Sequence, residues 1–339
     1  MLAEDKSGMI FGPTSDPCSE WAMLRCHDMR KFMLFCVCCL LCAAPAFAQD
    51  KSPAPLAMAE HNRPVIRGRA VFVQLLQSEI DVEVDVGRVA SDDVFYGNRG
   101  AYVGGYVIYF HHNDDKRESL TAIETDKARY QVAPLRRAIM DFDFDTPAME
   151  ASRTALSRLE WLGAQEPTLV KSQADDVRDT LARAGTQQAV TITYRYSLSP
   201  DFTQVRVIAN VAIWQPDAKG TQGRFTVLCQ QRVAAIVELR RRSYDSTENV
   251  AQWSADKGRL ARESIRAGLA RLEQLIPFAL GMTQADIDAL GTSKTDKAFA
   301  AGFYGPTVKG FPSIAGEKLI WSRGLVNVMP APEASAGTP

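Results

Sequence analysis

One apolar run near the amino terminus decides how much of this chain takes part in a fold. Residues Met29–Ala48 read MRKFMLFCVCCLLCAAPAFA, in which Arg30 and Lys31 come first, an apolar run follows and an A-x-A site ends at Ala48. This order is typical of a cleavable export signal, and the apolar run is shorter than the roughly 20 residues that span a bilayer. We expect cleavage after Ala48, so that the mature chain begins at Gln49.

Two other interpretations of the apolar run lead to different products. Lipidation of a cysteine would anchor the chain, but Cys42 follows two leucines and lacks the small residues that usually precede a lipidated cysteine. The second interpretation is a buried core helix, but Pro45 and the proline-containing segment after it would break a helix there. The sequence therefore predicts a periplasmic protein with no stable membrane span after cleavage. A start codon assigned upstream of Met29 is the simplest explanation of residues 1–28.

Removal of residues 1–48 changes the cysteine count and the charge. Six of the seven cysteines are lost and only Cys229 remains, so no intramolecular disulfide can form. Cys229 lies among apolar residues and is predicted to be a buried structural thiol rather than a nucleophile. The removed segment holds four of the 39 basic and five of the 40 acidic residues, which leaves 35 of each. A neutral chain lacks the net basic face that phosphate contacts need, so we expect no nucleic-acid partner.

Shifts in composition divide the mature chain into four segments. Residues 49–64 contain three prolines and no hydrophobic period, which predicts a flexible tether. Residues 330–339 are predicted to be a disordered tail from their composition. Between them we expect one α+β unit over residues 65–185 and another over 186–329.

The first unit is expected to place strands before helices. Apolar and acidic residues alternate from Ile80 to Val86, which is the period of a half-buried strand. Thr146 and Pro147 are suited to the start of a helix that ends at Gly163. The further elements predicted here are strands at 101–112, 130–133 and 138–144 and a helix at 173–183.

The second unit shows the clearest hairpin, with two alternating strands that turn at Ser199–Asp201. A third strand is predicted over 224–240 and a long helix over 248–279, kinked or ended by Pro277. A small hairpin that turns at Arg323-Gly324 follows. The helix is predicted to bury Ile265, Leu269, Leu272 and Ile276 and to leave Arg262, Arg266 and Arg271 outside.

The grouping of these elements predicts the fold class. Strands are followed by helices twice, whereas a parallel α/β sheet would alternate them. We therefore expect an α+β fold in which antiparallel meander sheets are each followed by packing helices, in two related-looking units.

Two clusters contain residue types that bind metals. The run HHNDD at residues 111–115 follows a predicted strand, where adjacent side chains point to opposite faces, so a polar hairpin tip is favoured. Asp141, Asp143 and Asp145 have the spacing that opens a calcium loop, but Thr146 stands where that loop needs glycine. Strand-edge and helix-capping roles explain these carboxylates better, and we predict no metal and no cofactor.

Catalytic motifs are weak. Ser254 and Lys257 match S-x-x-K, in which a lysine activates a serine, but neither K-T-G nor S-D-N accompanies them. The glycines show neither dinucleotide nor phosphate-loop spacing. We therefore assign no catalytic residue, with Ser254 and Lys257 or a metal at His111 and Asp114 as the alternative for a hydrolase or transferase.

An aromatic set is the remaining candidate for ligand contact. Even spacing of several members favours a packing stripe between sheet and helix over a ligand groove. The set comprises Tyr102, Tyr106, Tyr109, Phe110, Tyr194, Tyr196 and Trp214.

The sequence thus predicts an exported, non-enzymatic protein that binds or assembles with another envelope component. Its partner, an envelope protein or a small ligand, and its oligomeric state stay open. The strand edge at Asp81–Val86 is one place where a partner strand is expected to add.

Overall fold

The computed structural model describes residues 54–63, 68–75, 77–83, 109–171, 188–216, 225–312 and 315–333. These residues belong to one compact unit, Asp50–Pro339. The predicted helix at 173–183, the strand at 101–108 and most of the tail at 330–339 lie outside the described residues.

The strands form one large mixed sheet and one small hairpin. The large sheet has eight strands in the order β3-β1-β4-β5-β6-β10-β9, with β2 paired to β4 beyond the end of β1, and the hairpin joins β7 to β8. The strands are β1 (Ala70–Leu75), β2 (Asp81–Val82), β3 (Thr168–Val170), β4 (Ala189–Leu198), β5 (Gln204–Pro216), β6 (Phe225–Glu238), β7 (Lys297–Ala300), β8 (Phe303–Pro306), β9 (Lys318–Trp321) and β10 (Leu325–Pro330).

The predicted fold class of antiparallel meanders in an α+β protein is wrong, because the sheet is mixed and the fold is α/β. Strands β4, β5 and β6 are an antiparallel meander, but β1 pairs in parallel with both β3 and β4, and β10 pairs in parallel with β6. One sheet therefore takes strands from both of the expected related-looking units. Alternation identifies a strand but not its neighbour, and parallel pairing depends on long crossovers that bring distant segments together.

Within the described ranges, four α-helices accompany the sheet: α1 (Tyr109–Ala138), α2 (Asp145–Ser157), α3 (Ser246–Gly281) and α4 (Gln284–Thr292). The strand predicted over 101–112 is wrong in its described part, 109–112, and the strand predicted at 130–133 is wrong too, because both stretches lie in α1. Val132, Leu135 and Ile139 are buried at helical spacing, whereas Tyr130 is 84% exposed. Val132 and Tyr130 are frequent in strands, but the 3.6-residue period of burial decides the structure.

A side chain completes the edge of β4 where β1 stops and β2 has not begun. The Nε2 of Gln77 donates to the carbonyl of Tyr196 at 2.7 Å, and its Oε1 accepts from the Tyr196 N–H at 3.1 Å. The amide side chain thus replaces one peptide group of a neighbouring strand. β1 and β2 lie end to end along β4 without leaving its backbone unbonded there.

Helix α3 is the predicted long helix with two differences. Its backbone leaves helical geometry at Ala255–Gly258, and it continues past Pro277 to Gly281. The break admits the end of α1, since a Cβ on Gly258 would lie 2.4 Å from the Cγ2 of Ile139. The predicted apolar stripe is confirmed, since Ile265, Leu269, Leu272 and Ile276 are buried.

The prediction that Arg271 lies outside the buried face of α3 is wrong. Its side chain is 5% exposed and pairs with Glu317, which is 4% exposed. Its guanidinium also lies 4.5 Å from the ring centroid of Phe311. A cation can be buried here because a carboxylate and an aromatic face replace its water.

The two faces of the sheet are covered differently. Helices α1, α2 and α3 share one core cluster with the residues of one face, among them Val207 and Ala235. On the other face Ile208, Ile236 and Val326 pack with residues of the β7–β8 hairpin. The hairpin therefore covers the part of the sheet around β5, β6, β10 and β9 that the helices do not.

Two glycines of α3 test how closely the helix approaches the sheet. A Cβ on Gly268 would lie 2.8 Å from the Cγ2 of Val207, whereas a Cβ on Gly281 would meet nothing within 4 Å. We expect Gly268→Ala to lower the free energy of unfolding by about 1–3 kcal/mol through overpacking. Gly281→Ala should change it by less than about 1 kcal/mol, in the stabilising direction. Chemical denaturation measures both, and equal effects would contradict the close approach.

Candidate binding cleft

An open cleft of about 660 Å³ lies at one end of the sheet. Four segments line it: the amino-terminal residues Ala54 and Pro55, helix α4, the β7–β8 hairpin and the turn between β9 and β10. Because these segments are distant in sequence, the cleft exists only in the folded chain.

Helix α4 forms one wall and is held at its start by local bonds. Thr283 and Asp286 form a capping box, in which each side chain bonds the backbone N–H of the other residue. The Oε1 of Gln284 accepts from the N–H of Ala57 at 3.0 Å, and its Nε2 donates to Asp288 at 2.9 Å. One glutamine thus ties the helix to the amino-terminal segment.

The hairpin forms the opposite wall and presents aromatic surface. Phe299 and Tyr304 are cross-strand partners and are 66% and 61% exposed. Of the two, Tyr304 lines the cleft, and the Nζ of Lys297 lies 5.5 Å from its ring centroid. Gly305 lets β8 lie against β9, since a Cβ there would be 1.9 Å from the carbonyl oxygen of Trp321. This wall was not predicted from the sequence, although Lys297 and Phe299 alternate with small residues as in a one-sided strand.

The amino-terminal strap, defined here as residues 54–63, pairs with β6 at Gln230, before the point where β10 begins to pair with that strand. Leu56 exchanges two backbone hydrogen bonds of 2.8 Å with Gln230, and Met58 is 2% exposed. Arg63 donates to the carbonyls of Gly281 and Met282 at the end of α3. Part of the segment predicted to be a tether is therefore packed against the core and contributes Ala54 and Pro55 to the cleft.

The strap also covers the thiol of the mature chain. Cys229 is fully buried, and burial raises its pKa to about 12, although a hydrogen bond from the Met58 backbone opposes that shift. The thiol stays protonated at neutral pH, so it is a poor nucleophile. The prediction of a buried structural thiol is confirmed.

Several polar side chains of the cleft are bonded to other groups of the protein. The hydroxyl of Thr292 donates to the carbonyl of Asp288 at 2.8 Å, and that of Ser293 donates to Thr295 at 3.1 Å. The Asp288 carboxylate accepts from Gln284. Among the described lining residues, Tyr304 and Lys297 offer aromatic and cationic contacts.

The structure does not bring Ser254 and Lys257 together as a catalytic pair. The Ser254 hydroxyl donates to the carbonyl of Val250 at 2.6 Å, one helical turn back. Lys257 is exposed at the break in α3, with a φ of 57°. Because the backbone leaves helical geometry between them, the two residues no longer share a helix face.

The two clusters that contain metal-binding residue types differ in how much of them the structure describes. His111–Asp115 lie inside α1 rather than at a hairpin tip, and their side chains are outside the described part. Asp143 caps α2 by accepting from the N–H groups of Asp145 and Thr146, and Asp141 pairs with Arg262. Within the described ranges no three metal-binding side chains gather, and no helix there combines the length and apolarity needed to cross a bilayer.

The described members of the aromatic set pack inside the protein rather than line the cleft. Tyr194 and Tyr196 are buried under α2, and the ring of Phe144 stacks on Tyr196 with centroids 4.2 Å apart. Tyr194 bonds Ser152 at 3.0 Å. Trp214 lies on the opposite face and donates to Thr191. Packing rather than ligand contact is shown for Tyr194 and Tyr196. The stripe was predicted from the even spacing of Tyr102, Tyr106 and Phe110, whose side chains lie outside the described part of the chain.

A second cleft, of about 300 Å³, lies beside the end of α2. An ion pair stands in its lining, where Arg153 Nε donates to Glu166 at 2.7 Å. This bond holds the pKa of the Glu166 carboxyl below its usual range. Because the charges of Arg153 and Glu166 compensate each other, this cleft is the weaker candidate for a binding site.

Comparison with protein-family models and with curated protein sequences gives no match to this chain.

One carboxylate outside both clefts should make stability depend on pH. Burial raises the pKa of Glu273 on α3, and Glu150 adds to the shift while Arg158 opposes it. The folded state then binds the proton of the Glu273 carboxyl more tightly than the unfolded state does. The contribution of this group to the free energy of unfolding is therefore present at low pH and is lost as the pH rises through the raised pKa. We expect Glu273→Gln to raise the Tm at pH 7 and to have little effect near pH 4. A lower Tm of the variant at pH 7 would contradict this.

Proposed function

We propose that the mature chain is a periplasmic protein that acts by binding another envelope component. The order of basic pair, apolar run and A-x-A site at Met29–Ala48 supports the export step. The compact unit that starts at Asp50 supports it further, because the predicted cleavage would leave that unit whole.

The export step is tested by the amino terminus of the product. N-terminal sequencing of the protein recovered from the periplasm should begin at Gln49. A lipidated cysteine or an uncleaved apolar run would contradict the proposal, because either product would stay anchored to the membrane.

The 660 Å³ cleft is the proposed binding site. The observation that carries this proposal is the exposed ring of Tyr304 in the lining of the cleft, with the Nζ of Lys297 5.5 Å from its centroid. Tyrosine gives a large contact area at a low cost in conformational entropy, and it is enriched among the residues that dominate protein interfaces. We expect a polypeptide segment of an envelope protein as the occupant.

A hydrolase or transferase is the less favoured alternative. It would need Ser254 and Lys257, or a metal at His111 and Asp114, to act together. Catalysis by Ser254 and Lys257 is disfavoured, because the Ser254 hydroxyl donates to the carbonyl of Val250 and Lys257 is exposed.

Capture from envelope extract tests the binding site. The mature chain is used as bait beside two variants: Tyr304→Ser, which removes the aromatic ring in the cleft, and Tyr244→Ser, which removes a fully exposed ring elsewhere. We expect Tyr304→Ser to weaken the affinity for the captured partner by about tenfold or more and Tyr244→Ser to leave it unchanged. Circular dichroism verifies that both variants fold.

Three outcomes would count against the proposal. Equal capture by the two variants would exclude the cleft, and loss of capture only with Tyr244→Ser would place the interface elsewhere. Turnover of an ester or amide substrate that is abolished by Ser254→Ala would favour the enzymatic alternative.

A further inference from the structure

A buried amide in the sheet has no hydrogen-bond partner among the described residues. Asn327 lies in β10 and is 0% exposed, and neither its Oδ1 nor its Nδ2 is bonded there. A primary amide taken out of water without partners destabilises a fold, and buried polar groups are almost always bonded to protein or to ordered water. Asn327 therefore points to a partner that the described polypeptide does not supply.

The pairing register places Asn327 on the sheet face that carries α3. It pairs with Ala235 of β6, and it alternates with Val326 and Val328, which face the β7–β8 hairpin. On the face that does not carry the hairpin, a Cβ built on Gly268 of α3 would lie 3.8 Å from the Cβ of Ala235. Asn327 is thus the next residue along the row that α3 crosses at Gly268.

Two residues of α3 bring further unbonded atoms to this region. Ser264 and Arg271 lie about one turn before and one turn after Gly268. The Oγ of Ser264 and the Nε of Arg271 are both buried without a partner among the described residues. The Nη2 of Arg271 binds the carboxylate of Glu317, just before β9, and donates to the carbonyl of Pro312, while its Nη1 donates to Gln274. Because β10 lies between β6 and β9, the Arg271 side chain reaches across the strand that carries Asn327.

We propose that ordered water occupies a polar site between α3 and β10, bonded by Asn327, Ser264 and the Nε of Arg271. The chemistry of these groups is complementary to water: Nδ2 and Nε donate, Oδ1 accepts and the hydroxyl does either. A buried water makes about three hydrogen bonds. An apolar occupant would leave all four atoms unbonded. An anion is disfavoured because the charge of Arg271 is already paired with Glu317.

A crystal structure of the mature chain, with thermal unfolding of three variants, tests this site. We expect electron density for water within hydrogen-bond distance of Asn327. Ser264→Ala and Asn327→Leu should each lower the Tm by about 2 °C or more, since each removes a ligand of the water. The double variant should lower the Tm by less than the sum, because both changes release the same water.

A matched control lies in the same helix. Ser254 already donates to the carbonyl of Val250, so Ser254→Ala involves no buried water and should shift the Tm less than Ser264→Ala.

If the site holds no water, the shifts in Tm should have the opposite sign. Removal of an unpaired polar group should then raise the Tm for both Ser264→Ala and Asn327→Leu, and the effects should add. That result, or a crystal structure without water at Asn327, would overturn the proposal. Should Asn327→Leu not fold because its methyl groups are larger, the sign of the Ser264→Ala shift still decides the question.

Discussion

The second half of α3 lies directly on β5 and β6 at Gly268, and the other parts of the protein are arranged around this contact. The approach is close because residue 268 has no side chain to hold the helix away from Val207. Hydrophobic burial along the stripe from Ile265 to Ile276 favours the contact. The buried pair of Arg271 and Glu317 fixes the direction of the crossover that follows, because either charge alone would be costly to bury.

That crossover in turn makes the candidate cleft. After α3 the chain forms α4, the β7–β8 hairpin and β9 before it enters the sheet as β10 beside β6. Three of the four segments that line the cleft belong to this crossover, and the strap is the fourth. The strap reaches its place by pairing with β6 at Gln230, where β10 has not yet begun. Parallel pairing of β6 and β10 therefore has a structural consequence, because it holds these segments around the cleft.

Periodicity was enough to find the central elements. The hairpin that turns at Ser199–Asp201 and the last hairpin, at Arg323-Gly324, follow from alternation and turn chemistry, and the buried stripe of α3 follows from its helical period. These signals lie within a few residues of one another. Strand order does not, and for that reason the parallel partners of β4 and β6 were missed and an α+β meander was predicted.

The site was harder to predict than the strands. Tyr304 and Lys297 become neighbours of Ala54 and α4 only through tertiary contacts, and no short motif marks them. Ser254 and Lys257 are the opposite case, because their spacing matches the motif but the backbone between them leaves helical geometry. A buried arginine was also unpredictable, because the charge of Arg271 is compensated by a residue 46 positions away.

The most direct test of one shared sheet is native-state hydrogen exchange on the mature chain. Strands β1 and β10 come from opposite ends of the chain, and each is flanked by strands on both sides in the same sheet. We expect their amides to exchange through the same global unfolding as those of β4, β5 and β6, with equal free energies of opening. Exchange of β1 through a separate opening of lower free energy, while β10 stays protected with β6, would contradict the single sheet and restore two independent units.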